Sequence, residues 1–207
     1  MVKAAKSIGV VDYGSGNLRS VCKALEAVGA SVALVTESAQ LDQLDAVVVP
    51  GVGAFGDCAQ NLRRSGLWEP LTEWLKAGRP YLGICLGYQL LFESSEESPG
   101  CPGLGFLPGR VVRFRGKGLK VPHIGWNVLG NLRGPLYQAL PTPPYFYFVH
   151  SYFPVPAGSE IVSASCEYGG SFAASVSTGS LHATQFHPEK SQAAGLTLLR
   201  NFLDSLD

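Results

Sequence analysis

The sequence predicts an α/β fold: a central, mostly parallel sheet with helices on both faces, followed by a C-terminal antiparallel extension. Three observations carry this. In the first half, short and almost continuously apolar runs alternate with segments whose apolar residues recur at helical spacing, the pattern of parallel strands covered on both faces. In the second half, strand-like runs follow one another, broken by Gly and Pro, with no helix between them. The end of the chain returns to helical spacing.

The elements follow in order. Residues 7–13 (SIGVVDY) read as a buried strand. Residues 17–30 read as a helix, because Leu18, Val21, Cys22, Leu25 and Val28 share one face and Gly29 supplies a stop. Residues 31–36 and 45–50 are the second and third strands. One helical stretch is expected from about Asp57 to Lys76, with Leu62, Leu67, Leu71 and Leu75 among its apolar positions. Residues 79–85 (RPYLGIC) form the fourth strand, and 88–95 (YQLLFESS) open another helix. Strand candidates then run over 104–114, 123–129, 145–153, 160–168, 171–177 and 181–187. Hairpin turns are expected at 167–171 and 177–180. Residues 192–206 close the chain as a helix. With no linker, repeat or low-complexity tract, the reading is one domain over 1–207.

Composition narrows the function. Lys+Arg and Asp+Glu both number 16 in 207 residues, so the surplus of positive charge that phosphate backbones demand is missing. No apolar run reaches the roughly 18–20 residues of a membrane helix. The N-terminal stretch MVKAAKSIGVVDYG lacks the apolar core and cleavage pattern of a signal peptide, so a cytoplasmic location is expected. The five cysteines, Cys22, Cys58, Cys85, Cys101 and Cys166, include no C-x-x-C pair, which argues against a disulfide framework or a Cys-rich zinc site. No metal or cofactor motif is found.

The loop at 11–17 (VDYGSGN) sits between a strand and a helix, where glycine-rich turns can cradle phosphate. Arg19 stands where the dinucleotide fingerprint needs its third glycine, so a tight turn or a partner-facing loop is the better account.

Cys85 lies between Gly83 and Gly87 at a strand-to-helix bend, the form of a nucleophile elbow. Small flanking residues let strand and helix approach, and the helix start favours a thiolate. Packed filler is the alternative for a buried Cys. A nucleophile needs a base and an orienter. Among the four histidines, His187 in QFHPE has a carboxylate close by, Glu189. The Leu86 N–H, just after the cysteine, can face an oxyanion. Residues 50–53 (PGVG) end the third strand at the same carboxyl edge of a parallel sheet, where the Val52 N–H can serve as a second donor; a plain Pro-Gly turn is the alternative.

These motifs resemble the class I, triad-type glutamine amidotransferases. VDYGSGNLRSV, PGVGAFGDC, GICLGYQLLFESSEE, GLGFLPGRVVRF, VPHIGWN, YFYFVHSYF and ATQFHPEKS further resemble one branch, the glutaminase subunits of imidazole glycerol phosphate synthase. The resemblance spans nearly the whole chain. It implies a flavodoxin-like sheet and a triad of Cys85, His187 and Glu189 that hydrolyses glutamine through a thioester. It implies oxyanion donors at Val52 and Leu86, and glutamine contacts at Gly53, Gln89, Ser151 and Tyr152. It also implies ammonia transfer to a (β/α)8-barrel cyclase in histidine biosynthesis, with Asn17 of the glycine loop read as interface. His123, Trp126, Asn127, Tyr145 and Tyr147 are further interface candidates, because aromatics and their polar handles suit buried interfaces; ordinary core is the alternative for Trp126 and the tyrosines. Residues 110–115 read as a half-exposed strand with solvated charges. The rivals are a Cys-dependent deglycase or peptidase, another amidotransferase branch, and a regulatory module keeping only the fold. HPE, PHIGWN and the intact triad stand against them respectively.

Overall fold

The computed structural model describes residues 5–206; residues 1–4, part of the N-terminal stretch discussed above, and residue 207 lie outside the described residues. The chain opens with β1 (Ser7–Val11), α1 (Leu18–Ala27), β2 (Ser31–Val35), β3 (Ala46–Gly51), α2 (Phe55–Arg64), α3 (Trp68–Lys76) and β4 (Tyr81–Cys85). Strands β3 and β4 are buried along their whole length, as expected of parallel strands covered on both sides. The helices bury one stripe each: Val21 and Leu25 on α1, Phe55, Cys58 and Leu62 on α2, Leu71, Trp74 and Leu75 on α3.

The rest comprises α4 (Leu86–Gln89), β5 (Phe92–Ser95), β6 (Leu107–Arg113), β7 (His123–Gly130), β8 (Tyr145–His150), β9 (Tyr152–Pro156), β10 (Val162–Glu167), β11 (Ser171–Thr178), β12 (Leu181–Thr184) and α5 (Gln192–Asp204). The main sheet has the order β2-β1-β3-β4-β12-β11-β10-β7-β8. Its pairs are parallel from β2 to β12 and antiparallel from β12 to β8. The closing strand β12 thus returns to the middle of the sheet and lies beside β4. A second sheet, β5-β6-β9, packs alongside. Among the described residues no helix is long and apolar enough to cross a membrane.

Four expectations need correction. The helix from Asp57 to Lys76 is two helices, α2 and α3, separated at Gly66, whose φ of 74° is left-handed. The segment YQLLFESS does not extend a helix: one turn ends at Gln89 and β5 follows. The carbonyls of Leu90, Leu91 and Phe92 accept from the N–H groups of Leu104, Leu107 and Gly105, so they are lost to a helical ladder. The run 145–153 divides into β8 and β9, which belong to different sheets. The run 181–187 leaves the sheet after Thr184, and a short 3-10 turn at Pro188–Lys190 follows.

Candidate active site

Three segments leave the carboxyl edge of the parallel strands side by side. Gly51 at the end of β3 is paired with Cys85 at the end of β4, and Thr184 of β12 is paired with Ile84. Val52–Gly53, Cys85–Leu86 and Gln185–His187 are therefore neighbours by register, although far apart in sequence. Cys85 adopts φ 56° and ψ −104°, a strained backbone for an L residue. Its neighbours explain how the strain is held. A Cβ on Gly87 would run into the Val49 carbonyl oxygen, and one on Gly83 would lie 2.7 Å from the Gly87 oxygen. Strand and helix are thus locked together with the cysteine at the apex.

His187 and Glu189 sit on the turn after β12. Nδ1 of His187 is 2.8 Å from Oε1 of Glu189, and both side chains are 2% exposed. The contact fixes the tautomer and leaves Nε2 free; Nε2 of His187 and Oε2 of Glu189 are buried with no hydrogen-bond partner. Burial opposes charging of the imidazole, but negative charge on Cys85 and the charge and hydrogen bond of Glu189 outweigh it, pushing His187 up to about 10. Because Nε2 forms no hydrogen bond in this geometry, Cys85 acts through its charge. The other three histidines are pulled down by burial: His123 to about 4, His150 to about 3 and His182 to about 4. They are suited to neutral structural roles; His182 pairs with the Ser177 hydroxyl at 2.8 Å.

A cavity of about 410 Å³ opens over the cysteine. Val52, Gly53, Cys85, Leu86, Gln89, Ser151, Tyr152 and His187, eight of the residues singled out in the sequence, line it. Leu86 is the first residue of α4, where N–H groups have no acceptor within the helix. The Val52 N–H is engaged elsewhere: it donates to the Ser15 hydroxyl at 3.2 Å, and that hydroxyl donates to the Val52 carbonyl at 2.6 Å. The glycine-rich loop therefore clasps Val52 through the peptides on both sides of it. Gln89 donates through Nε2 to the Tyr152 carbonyl and to Oε1 of Gln185, both at 3.1 Å.

The interface candidates divide. Asn17 is exposed, Trp126 is 46% exposed and Tyr147 is half-buried. Trp126 and Tyr147 are register partners on β7 and β8, their ring centroids 6.1 Å apart. Exposed Ile124 and Tyr145 extend this apolar side of the hairpin. His123 is a correction: it points to the other side of β7, where it is buried, stacked on Tyr168 and Phe148 and bonded to His150 at 3.1 Å. Strand alternation makes the difference, since residues 123 and 126 fall on opposite faces. Asn127 lies on the His123 side and donates to the Glu167 carbonyl at 3.0 Å.

Ser15, Glu97, Gln185 and Lys190 were not singled out in the sequence. Glu97 and Lys190 line the cavity, and Glu97 also accepts the Phe55 N–H at 2.7 Å. Glu97 lies just past the segment 88–95 expected to open a helix. Gln185 stood in plain view beside His187, but an amide carries no titration signal. All five cysteines are free.

Comparisons with known proteins give the family. The family pattern of class-I glutamine amidotransferases matches residues 9–206. The chain is 49% identical over 202 residues to the imidazole glycerol phosphate synthase subunit HisH of Syntrophotalea carbinolica, covering 94% of this chain and 98% of that protein. It is 50% identical over 202 residues to HisH of Nitrosococcus oceani, covering 95% and 96%. Among solved structures, a glutamine amidotransferase superposes with a TM-score of 0.72 at 25% identity, covering 96% of this chain and 98% of that one. PurLQS from Thermotoga maritima gives 0.75 at 18% identity, covering 99% and 100%, a likeness of fold alone. Identity at about half of the aligned positions along almost the whole length places this chain among the HisH subunits of imidazole glycerol phosphate synthase, within the class-I glutamine amidotransferase family.

Proposed function

We propose that this chain hydrolyses glutamine to glutamate and ammonia with Cys85, His187 and Glu189, and that the ammonia passes to a cyclase subunit of imidazole glycerol phosphate synthase. The observation that carries the reading is the buried His187–Glu189 pair set beside a strained cysteine at one rim of the sheet, opening onto the cavity.

The Cys85 thiolate attacks the substrate carboxamide, and the electron pair of the carbonyl moves onto oxygen. His187 gives its proton to the departing nitrogen, and ammonia leaves a glutamyl thioester. Water then attacks, losing its proton to His187; the carbon–sulfur bond breaks and glutamate is released. Glu189 orients the imidazole and supports its positive form. Leu86 and Val52 N–H groups would face the oxyanion, where losing one donor typically costs roughly 2.7–4 kcal/mol. Gly53, Gln89 and the backbone at Ser151–Tyr152 suit the amino-acid end of glutamine. Glu97 adds a carboxylate for its ammonium group.

Regulation fits the Ser15 clasp. While Ser15 holds the Val52 N–H, only Leu86 is free to meet the oxyanion, and the chain alone is slow. The partner we propose is a (β/α)8-barrel cyclase, meeting Asn17 of the same loop together with Trp126 and Tyr147. Docking with its ligand turns the Val52 peptide inward, so that glutamine is not wasted. The test is a glutaminase assay of the chain alone and with the ligand-bound cyclase, with a glutamine-analogue electrophile as probe. Modification at Cys85 and a partner-dependent rise in rate are expected. No modification even with the cyclase would sink the enzymatic reading, and equal rates would sink the regulatory one.

A further inference from the structure

We propose that Gln185 is a further catalytic residue, donating a hydrogen bond to the Cys85 sulfur, and that a one-way chain of hydrogen bonds from the Tyr152 carbonyl fixes which end of its amide faces that sulfur. The proposal rests on Cys85 being the nucleophile, and it adds a group that the triad does not include.

Nε2 of Gln185 lies 3.7 Å from Sγ of Cys85, and Gln185 is 0% exposed. Taken alone, an amide beside a sulfur could present either oxygen or nitrogen. The chain of partners removes the choice. The Tyr152 carbonyl only accepts, so Gln89, itself 2% exposed, must turn its NH2 towards it. The same NH2 spends its second hydrogen on Oε1 of Gln185. With its oxygen committed, Gln185 has only its NH2 to offer Cys85. A flipped Gln185 amide would set NH2 against the NH2 of Gln89 at one end and a carbonyl oxygen against the Cys85 sulfur at the other; flipping Gln89 as well would set its oxygen against the Tyr152 carbonyl. The carbonyl at the head of the chain is anchored too: it also accepts from Nδ1 of His150 at 2.8 Å, which leaves Nε2 of His150 to accept from Nδ1 of His123 at 3.1 Å.

The chemistry follows from the donor. An N–H aimed at sulfur favours thiolate over thiol, and hydrogen bonds to charged groups are the stronger ones. It acts again when the thioester is hydrolysed: as the carbon–sulfur bond breaks, the electron pair returns to a sulfur that already faces an N–H.

The test compares the parent with Gln185→Met and Gln185→Glu. The readouts are the rate of iodoacetamide alkylation at Cys85 against pH, resolved by peptide mass, and kcat and KM for glutamine. The other titratable or charged groups around the sulfur are His187, His150, Glu97, Lys190 and Tyr152 in the cavity and Cys58 on α2. All are retained, so a change reports Gln185. In Gln185→Met the alkylation profile moves to higher pH, roughly tenfold slower at neutral pH, and kcat falls more than KM changes. Gln185→Glu keeps the shape and can still accept from Gln89. It is slower than Gln185→Met at neutral pH and recovers towards acid pH, where a protonated carboxyl can donate to sulfur; a packing role gives no such recovery. Coincident profiles for parent and variants overturn the proposal. If Gln185→Met does not fold, Gln185→Glu decides by the same profile. A parent that alkylates normally but turns over no glutamine even with the ligand-bound cyclase refutes the proposed function instead, and the alkylation profiles still judge Gln185.

Discussion

Replacing Ser15 with alanine removes the hydroxyl that holds the two peptides flanking Val52, accepting from the Val52 N–H at 3.2 Å and donating to the Val52 carbonyl at 2.6 Å. Each such bond is worth about 0.5–1.5 kcal/mol net. Val52 is 42% exposed, so water can replace part of what is lost, and the lower half of the range applies to each bond. Only the N–H bond lies on the Gly51–Val52 peptide that turns, so the clasped orientation is weakened by about 0.5–1 kcal/mol, which multiplies the population of the turned peptide roughly two- to fivefold. Nothing on Cys85, His187 or Glu189 changes. The expected outcome is a basal glutaminase rate that rises by that factor while the rate with the ligand-bound cyclase stays nearly constant, so the ratio of the two collapses. Steady-state glutamate release, measured with and without the cyclase at saturating glutamine, reads both numbers. A Ser15→Ala protein with native thermal stability and an unchanged basal rate would show that the clasp does not govern the oxyanion donor.

Three other substitutions probe separate parts of the design. Glu189→Gln removes one of the charges that hold the His187 proton; since expulsion of ammonia needs the protonated imidazole, present below its pKa and lost above it, the alkaline limb of the kcat–pH profile shifts to lower pH and kcat falls roughly a hundredfold. Gly87→Ala drives a Cβ into the backbone oxygen of Val49, and with neither backbone able to yield, thermal unfolding should report a loss of more than about 3 kcal/mol or no soluble protein at all. Trp126→Ala truncates an exposed side chain and should leave the melting temperature within a degree or two while weakening cyclase binding, measured by calorimetry, roughly thirtyfold.

What the sequence disclosed depends on where each signal is stored. Strands β3 and β4 are apolar from end to end, and that pattern survives any tertiary context, so the parallel half was legible. The elbow was legible for a related reason: Gly83 and Gly87 are demanded by contacts that no side chain could tolerate. The segment that became β5 was not, because Leu90, Leu91 and Phe92 are equally apolar for helix or strand, and distant Leu104, Gly105 and Leu107 decide the matter by taking their carbonyls. His123 and Trp126 were both aromatic-rich candidates in one motif, and only the pleat, which separates odd from even positions, reveals that one is core and the other surface. Ser15 is a loop serine whose task is visible only once Val52 is beside it. Glu97 and Gln185 needed the folded cavity for the same reason.

The insertion of β12 between β4 and β11 has a consequence for the life of the chain during synthesis. Cys85 emerges from the ribosome long before His187, and the strand that leads to that imidazole is made after every other described strand of the sheet. Until that strand slots into the gap beside β4, a nascent or prematurely terminated polypeptide carries the Cys85 thiol without the His187 imidazole at the same rim. On the proposed mechanism, glutaminase competence therefore arrives together with completion of the sheet.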